Sequence, residues 1–230
     1  MASSEMPYQA APVGRDAMTR LILARRSVRH GYQGGGVPPD VVEEIIRCGL
    51  ASPSSKNARP WRLHVTTNRQ VLADIARDMI TADGARSYVP RDPISGLPRA
   101  DWPSSVGESA EVLRSVPLGI FVENLGSFSR GRSVLGSIPQ ENLRSCLFGY
   151  TLEVLGIGAA VMNMWLAANA LGLQGVFMGD VCVAEREIAA RLGISVDLVG
   201  VLAVGYSDAP VSPDRVHYDV SDETRVAWHR

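Results

Sequence analysis

Cysteine is scarce in this chain: Cys48, Cys146 and Cys182 are the only three among 230 residues. They lie far apart, form no C-x-x-C pair and have no histidine at metal-ligand spacing, which argues against a zinc site or a disulfide framework and for a reducing, cytoplasmic compartment. An excess of charge of either sign is missing too. Lys and Arg number 23 against 24 Asp and Glu, so no broad polyanion surface is built in and nucleic acid is not expected as a partner. No G-x-G-x-x-G links a strand to a helix, which removes a separate dinucleotide-binding domain. The Gly34 to Gly36 run lacks the Lys and Ser or Thr of a phosphate-cradling loop and reads as a turn. The first residues, MASSEMPYQAAPVGR, have no basic start followed by an apolar run, so residues 1–15 read as a flexible arm rather than a signal or an anchor. His30, His64, His217 and His229 suggest no triad and are expected to be structural.

What is present is enough apolar residue, 46%, to fill one core, and residues 16–230 read as a single domain. Helical spacing predicts helices over 16–28, 39–50, 68–82 (with Asn68 as N-cap), 139–171 and 184–193. Alternating or continuous apolar runs predict strands over 61–67, 116–123, 174–180 and 196–206. The order is mixed, without regular βαβ alternation, which indicates α+β. Residues 83–108 hold four prolines and no periodicity, the mark of a lid or binding insert. Residues 148–173 are apolar enough to raise the question of a membrane span, but Glu153, Asn163, Asn169 and four glycines interrupt them. We read a buried helix instead, with no membrane partner.

Two stretches carry a surplus of donors. ARRSVR presents Arg25, Arg26, Ser27 and Arg29 at a predicted helix end, where residues four apart share a face, so Arg25 and Arg29 are expected to converge on a small anion. The alternative is that they complement the negative end of the helix dipole. SPSSKNARPW, residues 52–61, adds Ser54, Ser55 and Asn57 between Pro53 and Pro60, which limit the loop's conformations. By itself it reads as an ordinary connection, but it follows ARRSVR by one helix and both stretches can face a common crevice.

RRSVR, SPSSKNARPW and MNMWLAANALGLQGVFMGD at 162–180, in this order, resemble the nitroreductase-like FMN-dependent oxidoreductase family over residues 19–206. The resemblance implies a nitroreductase-like α+β fold, with a central mixed, mostly antiparallel sheet flanked by helices. It also implies a homodimer built on the long central helix, with FMN at the subunit interface and NAD(P)H as hydride donor. By position, Arg25, Arg26, Ser27 and Arg29 would hold the FMN phosphate, ribityl chain and ring edge. Pro53, Ser54, Ser55 and Asn57 would reach it from the other subunit, and Arg59 replaces a glutamine common in relatives. Phe177, Met178, Gly179 and Asp180 would pass backbone beside the ring, and Arg215 would complete the phosphate site.

Reduced flavin carries negative charge along one ring edge, and a fixed cation, assigned to Arg29, would stabilise it; no side chain needs to act as nucleophile or base. With no second nucleotide domain, NAD(P)H and a small-molecule acceptor, a nitro-aromatic, quinone or similar conjugated electrophile, would use one face in turn by a ping-pong mechanism. Tyr88, Trp102 and Phe128 could wall that face. Family branches that oxidise an azoline, dehalogenate or fragment the flavin stay open, as does a non-catalytic flavin- or deazaflavin-binding protein. Small residues Gly156, Gly158, Ala159, Ala160, Ala167 and Ala168 on the long helix suit close helix packing within a subunit or between two, with Met162, Met164 and Trp165 filling gaps.

Overall fold

The computed structural model describes residues 15–89, 91–92, 94–99, 103–210 and 225–229. The expected N-terminal arm therefore lies outside the described residues, apart from Arg15, which opens the first helix. In chain order the elements are α1 (Arg15–Ala24), α2 (Pro39–Leu50), β1 (Trp61–Thr66), α3 (Arg69–Thr81), α4 (Val106–Ser115), β2 (Leu118–Asn124), α5 (Arg132–Leu135), α6 (Gln140–Ala170), β3 (Gln174–Met178), α7 (Glu185–Leu192) and β4 (Asp197–Gly205). Short 3-10 turns occupy Ser55–Asn57, Ala85–Ser87 and Asp180–Ala184.

The strands form one sheet in the order β1-β2-β4-β3, each neighbour antiparallel. Among the described residues, the mixed character expected of the sheet comes from a parallel bridge between Ser27 and Gly175 on β3. Successive side chains leave a strand on opposite faces, and here the two faces serve two cores. Phe121, Val176, Met178, Val201 and Ala203 pack with α3, α4 and α7, while Leu118, Ile120, Val122, Leu202 and Val204 pack with α2 and α6. Every residue of β2 is buried, as its unbroken apolar run requires. At the far end of β2 the register shifts between Val122 and Glu123. The buried Glu123 carboxylate accepts hydrogen bonds from Ser195 N (2.7 Å), Ser195 Oγ (2.8 Å) and Val196 N (3.0 Å), and its other oxygen meets His64 Nε2 at 2.9 Å.

Helix boundaries follow local chemistry. Asn68 caps α3 as expected, its side chain accepting from Gln70 N and Val71 N. α1 is shorter than the predicted 16–28 and stops at Ala24, so Arg25 to Arg29 do not lie on a helix face. The 83–108 segment is less irregular than its sequence indicates. Asp92 N donates to Leu97 O and Arg91 bridges Pro98, closing a small turn whose tip exposes Ile94 and Leu97, and residues 106–108 are the first turn of α4. α6 is long and apolar enough to cross a membrane by length and composition alone. One side of it is buried and the other bears Phe148 and Leu155, each 65% exposed.

Candidate active site

Beyond Ala24 the chain leaves α1 and pairs with β3: Val28 N donates to Gly175 O at 3.0 Å and Ser27 bridges Gly175. In such a pairing side chains alternate with a period of two. Val28 is accordingly buried, while Ser27 and Arg29 on either side of it are exposed. Ser27 and Arg29 thus alternate with Val28 by strand periodicity rather than by the helical spacing anticipated from sequence. Arg25 reaches Trp165 on α6 while Arg29 reaches Glu108 on α4, helices on opposite faces of the sheet, so the two guanidiniums do not converge as expected.

The three arginines differ in what occupies them. Arg26 donates to Leu23 O (2.6 Å) and Arg25 O (2.8 Å), closing off free carbonyls at the end of α1. Arg29 pairs with Glu108 of α4 at 3.3 Å. Arg25 lies with its guanidinium 4.4 Å from the centre of the Trp165 ring on α6 and makes no ion pair among the described residues. The indole Nε1 of Trp165 is buried and also lacks a partner among them. A stacked guanidinium keeps its in-plane donors free for an anion.

The 52–59 loop is strained. Lys56, Asn57 and Arg59 have φ of 53°, 54° and 46°, in the left-handed region that costs most residues roughly 1–2 kcal/mol, asparagine being among the more tolerant. The loop is held by Arg59 N donating to Ser54 Oγ (2.9 Å), by Arg59 Nε donating to Asn57 Oδ1 (3.3 Å) and by Asn163 Nδ2 donating to Ser52 Oγ (2.8 Å). Ser54 also rests on α6, and a Cβ at Gly156 would come within 3.2 Å of its Cβ. Gly156 and Trp165 are nine residues apart, about 13 Å along a helix. One chain therefore keeps the loop and Arg25 at separate stations on α6.

At the exit of β3, Phe177 and Met178 turn their side chains into the two cores, which leaves backbone and the exposed Gly179. Asp180 follows. Its Oδ2 accepts from Ser105 Oγ and Ser109 Oγ, both at 2.8 Å, and its Oδ1 is buried without a partner among the described residues. The first turn of α4 thus joins β3, through Ser105 and Ser109, to Arg29, through Glu108.

Of the expected aromatic wall, Tyr88 is 39% and Phe128 37% exposed. Burial raises the Tyr88 phenol, the Cys182 thiol reinforces this and Arg132 opposes it; burial likewise raises Tyr150, again opposed by Arg132. Tyr88 and Tyr150 therefore both feel the charge of Arg132, and Phe128 packs on Gly149, the residue before Tyr150. Burial pushes the Cys182 thiol up to about 11, so it is no nucleophile at neutral pH. Trp102 and Arg215 lie outside the described residues. Among those described, no cluster could hold a metal ion. Trp165, Glu108 and Tyr150 were not singled out for these places in the sequence.

Comparison with known proteins matches residues 22–206 to the Nitroreductase family. A curated relative from Archaeoglobus fulgidus, provisionally named an NADH dehydrogenase/NAD(P)H nitroreductase, is 25% identical over 211 residues, covering 86% of this chain and 95% of the relative. Among solved structures, the BluB-like flavoprotein from Clostridium difficile is similar at a TM-score of 0.65 and 21% identity, over 93% of this chain and 99% of that one. NADPH:FMN oxidoreductase from Vibrio harveyi, complexed with NAD+, is similar at a TM-score of 0.61 and 16% identity, over 92% and 76% of the two chains. At these identities the structural likeness is one of fold. The family match spans most of the chain, which belongs to the nitroreductase family.

Proposed function

We propose that this member of the nitroreductase family is an FMN-dependent NAD(P)H oxidoreductase that reduces quinones, nitro-aromatics or similar conjugated electrophiles as a homodimer, with residues 16–230 acting as one FMN-binding unit. The carrying observation is Arg25: a cation stacked on Trp165, unpaired among the described residues, beside an exposed serine hydroxyl at Ser27. That is the donor set a phosphomonoester needs. The family match, and the FMN and NAD(P)H in the names of similar proteins, support the same cofactors.

The residues present fit FMN. Arg25 and Ser27 take the phosphate, with Arg215 as a further candidate; Arg29 stands at the ring edge; and the backbone of Phe177, Met178 and Gly179 passes alongside. Ser55, Asn57 and Pro53 reach in from the other subunit, an arrangement favoured by the separation of Ser54 and Arg25 along α6. Phe148, Leu155 and Met162, at seven-residue spacing on the exposed side of α6, form an apolar stripe for a second copy of the chain. Bound FMN supplies a two-electron relay between nicotinamide and acceptor. Tyr88, Tyr150 and Phe128 flank the acceptor, and the turn at 91–98, with apolar Ile94 and Leu97 at its tip, closes over it as a lid. Donor and acceptor take turns on one face, which gives ping-pong kinetics.

Purified protein tests this directly. It should be yellow, NADPH or NADH should bleach it under nitrogen, and a quinone should restore the colour, with parallel lines in double-reciprocal plots. A colourless protein that takes up no added FMN would overturn the proposal.

A further inference from the structure

Glu153 lies mid-helix in α6, fully buried, with no basic group paired to its carboxylate among the described residues. Four donors meet it instead. Oε1 accepts from Phe128 N (2.5 Å) and Ser129 N (2.8 Å), and Oε2 from Ser129 Oγ (2.7 Å) and Asn124 Nδ2 (2.9 Å). Burial acts to raise this carboxyl, but the bonds from Asn124, Phe128 and Ser129 outweigh it and hold the group ionised. One turn earlier on the same face stands Gly149, where a Cβ would come within 2.9 Å of the Cβ of Phe128. One residue makes room for Phe128 and the other grips its amide.

The loop so held is costly to form. Arg130 adopts φ 67°, and Leu125 N donates to Pro60 O at 2.8 Å, tying the loop to the end of the SPSSKNARPW stretch. Gly149 and Gly156, seven residues apart on α6, set Phe128 and Ser54 on one stripe about 10 Å from each other. Phe148, next to Gly149, belongs to the exposed apolar face of the helix. The aromatic thus stands at the rim of the surface on which a second copy would seat. A well-packed apolar side chain at 153 would serve folding about as well as a buried charge. What the carboxylate adds is a fixed position for Phe128, whose ring is left partly open to solvent rather than packed away.

We infer that Glu153 is a positioning residue that holds Phe128 as a rigid aromatic platform for the electron acceptor. This rests on the proposed function. Three substitutions test it in the full-length FMN-loaded protein. Glu153→Gln keeps the shape but turns an acceptor into a donor facing amide hydrogens; amide exchange at Phe128 and Ser129 should quicken by about tenfold or more. Its KM for p-benzoquinone should rise about five- to tenfold, with FMN affinity and the rate of reduction by NADPH within about twofold of the parent. Gly149→Ala, whose Cβ would come within 2.9 Å of the Phe128 Cβ, displaces Phe128 from the other side and should raise the same KM, with a modest fall in melting temperature because overpacking exceeds the gain in helix propensity. Phe128→Ala should reproduce the KM change, and adding it to Glu153→Gln should bring little more, since both act through one ring.

Full additivity of the two changes, or unaltered KM in both Glu153→Gln and Gly149→Ala, would overturn the inference. So would unchanged exchange at Phe128 and Ser129. If the parent protein takes up no FMN, the proposed function falls and the acceptor platform with it, while the exchange measurement alone decides whether Glu153 holds the loop.

Discussion

Replacing Arg25 with alanine separates the roles of three adjacent arginines that the sequence leaves equivalent. Arg25 has no carboxylate partner among the described residues, so the ligand phosphate would be its main charge contact. A charge-assisted hydrogen bond contributes about 1.5–3 kcal/mol, so Arg25→Ala should weaken FMN binding by about 10- to 150-fold. Trp165→Leu keeps the charge and removes the stacking at 4.4 Å, at the cost of a cavity where the buried indole packed. A partly exposed cation–π contact contributes about 0.5–1 kcal/mol, so that variant should weaken FMN binding by about two- to fivefold. Arg26→Ala should change it least, because its donors already go to Leu23 O and Arg25 O. Quenching of flavin fluorescence on titration into apoprotein gives all three constants. If Arg26→Ala costs more than Arg25→Ala, or Arg25→Ala leaves affinity within twofold of the parent, the phosphate site has been placed on the wrong guanidinium.

Two further outcomes follow from groups away from Arg25. Burial tends to raise Glu123, but hydrogen bonds from His64, Ser195 and Val196 prevail and hold it at about 2, against 4.5 ordinarily. Because the folded value is depressed, its contribution is complete above pH 4.5 and is lost as pH falls towards 2. At ~1.4 kcal/mol per unit the gap amounts to about 3 kcal/mol, so urea unfolding of Glu123→Gln should lose that much of the parent's acid dependence, and equal slopes in the two proteins would refute it. Introducing Asp at Phe148 or Leu155 should give a monomer with reduced flavin content in analytical ultracentrifugation, since each apolar side chain is largely exposed in the single chain; an unchanged dimer would move the interface elsewhere.

The sequence disclosed most of the frame because its signals were local. Asn68 before an amphipathic run specifies a cap, and the continuous apolar run of β2 specifies a strand covered on both faces. α4 escaped because it is only ten residues long, with Gly107 in its first turn and a proline-rich stretch before it. The spacing of Val106, Ala110 and Leu113 was nonetheless helical, and all three are buried. The end of α1 was overrun for a different reason. Nothing in ARRSVR itself breaks a helix, and what stops it is the long-range bond from Val28 N to Gly175 O, between residues 147 positions apart. The pairings of Arg29 with Glu108 and of Arg25 with Trp165 are long-range in the same way, so the sequence could name the arginines without saying which one is free.

The ambiguity of α6 has a physical resolution. A helix apolar on most sides belongs in lipid, in a core or between subunits. Glu153 weighs against lipid, because its carboxylate is satisfied by the end of β2 and the loop after it, folded onto the helix, and a lipid-facing segment would have no such cover over it. A core within one chain is weighed against by Phe148 and Leu155, which that chain leaves 65% exposed. In the proposed homodimer the helix has two occupied sides: small residues and one carboxylate seat this subunit's loops, and the bulky stripe opposite would meet a second copy. Under the proposed function, a site needing Arg25 from one end of α6 and the strained serine loop from its middle would be assembled where two such helices meet.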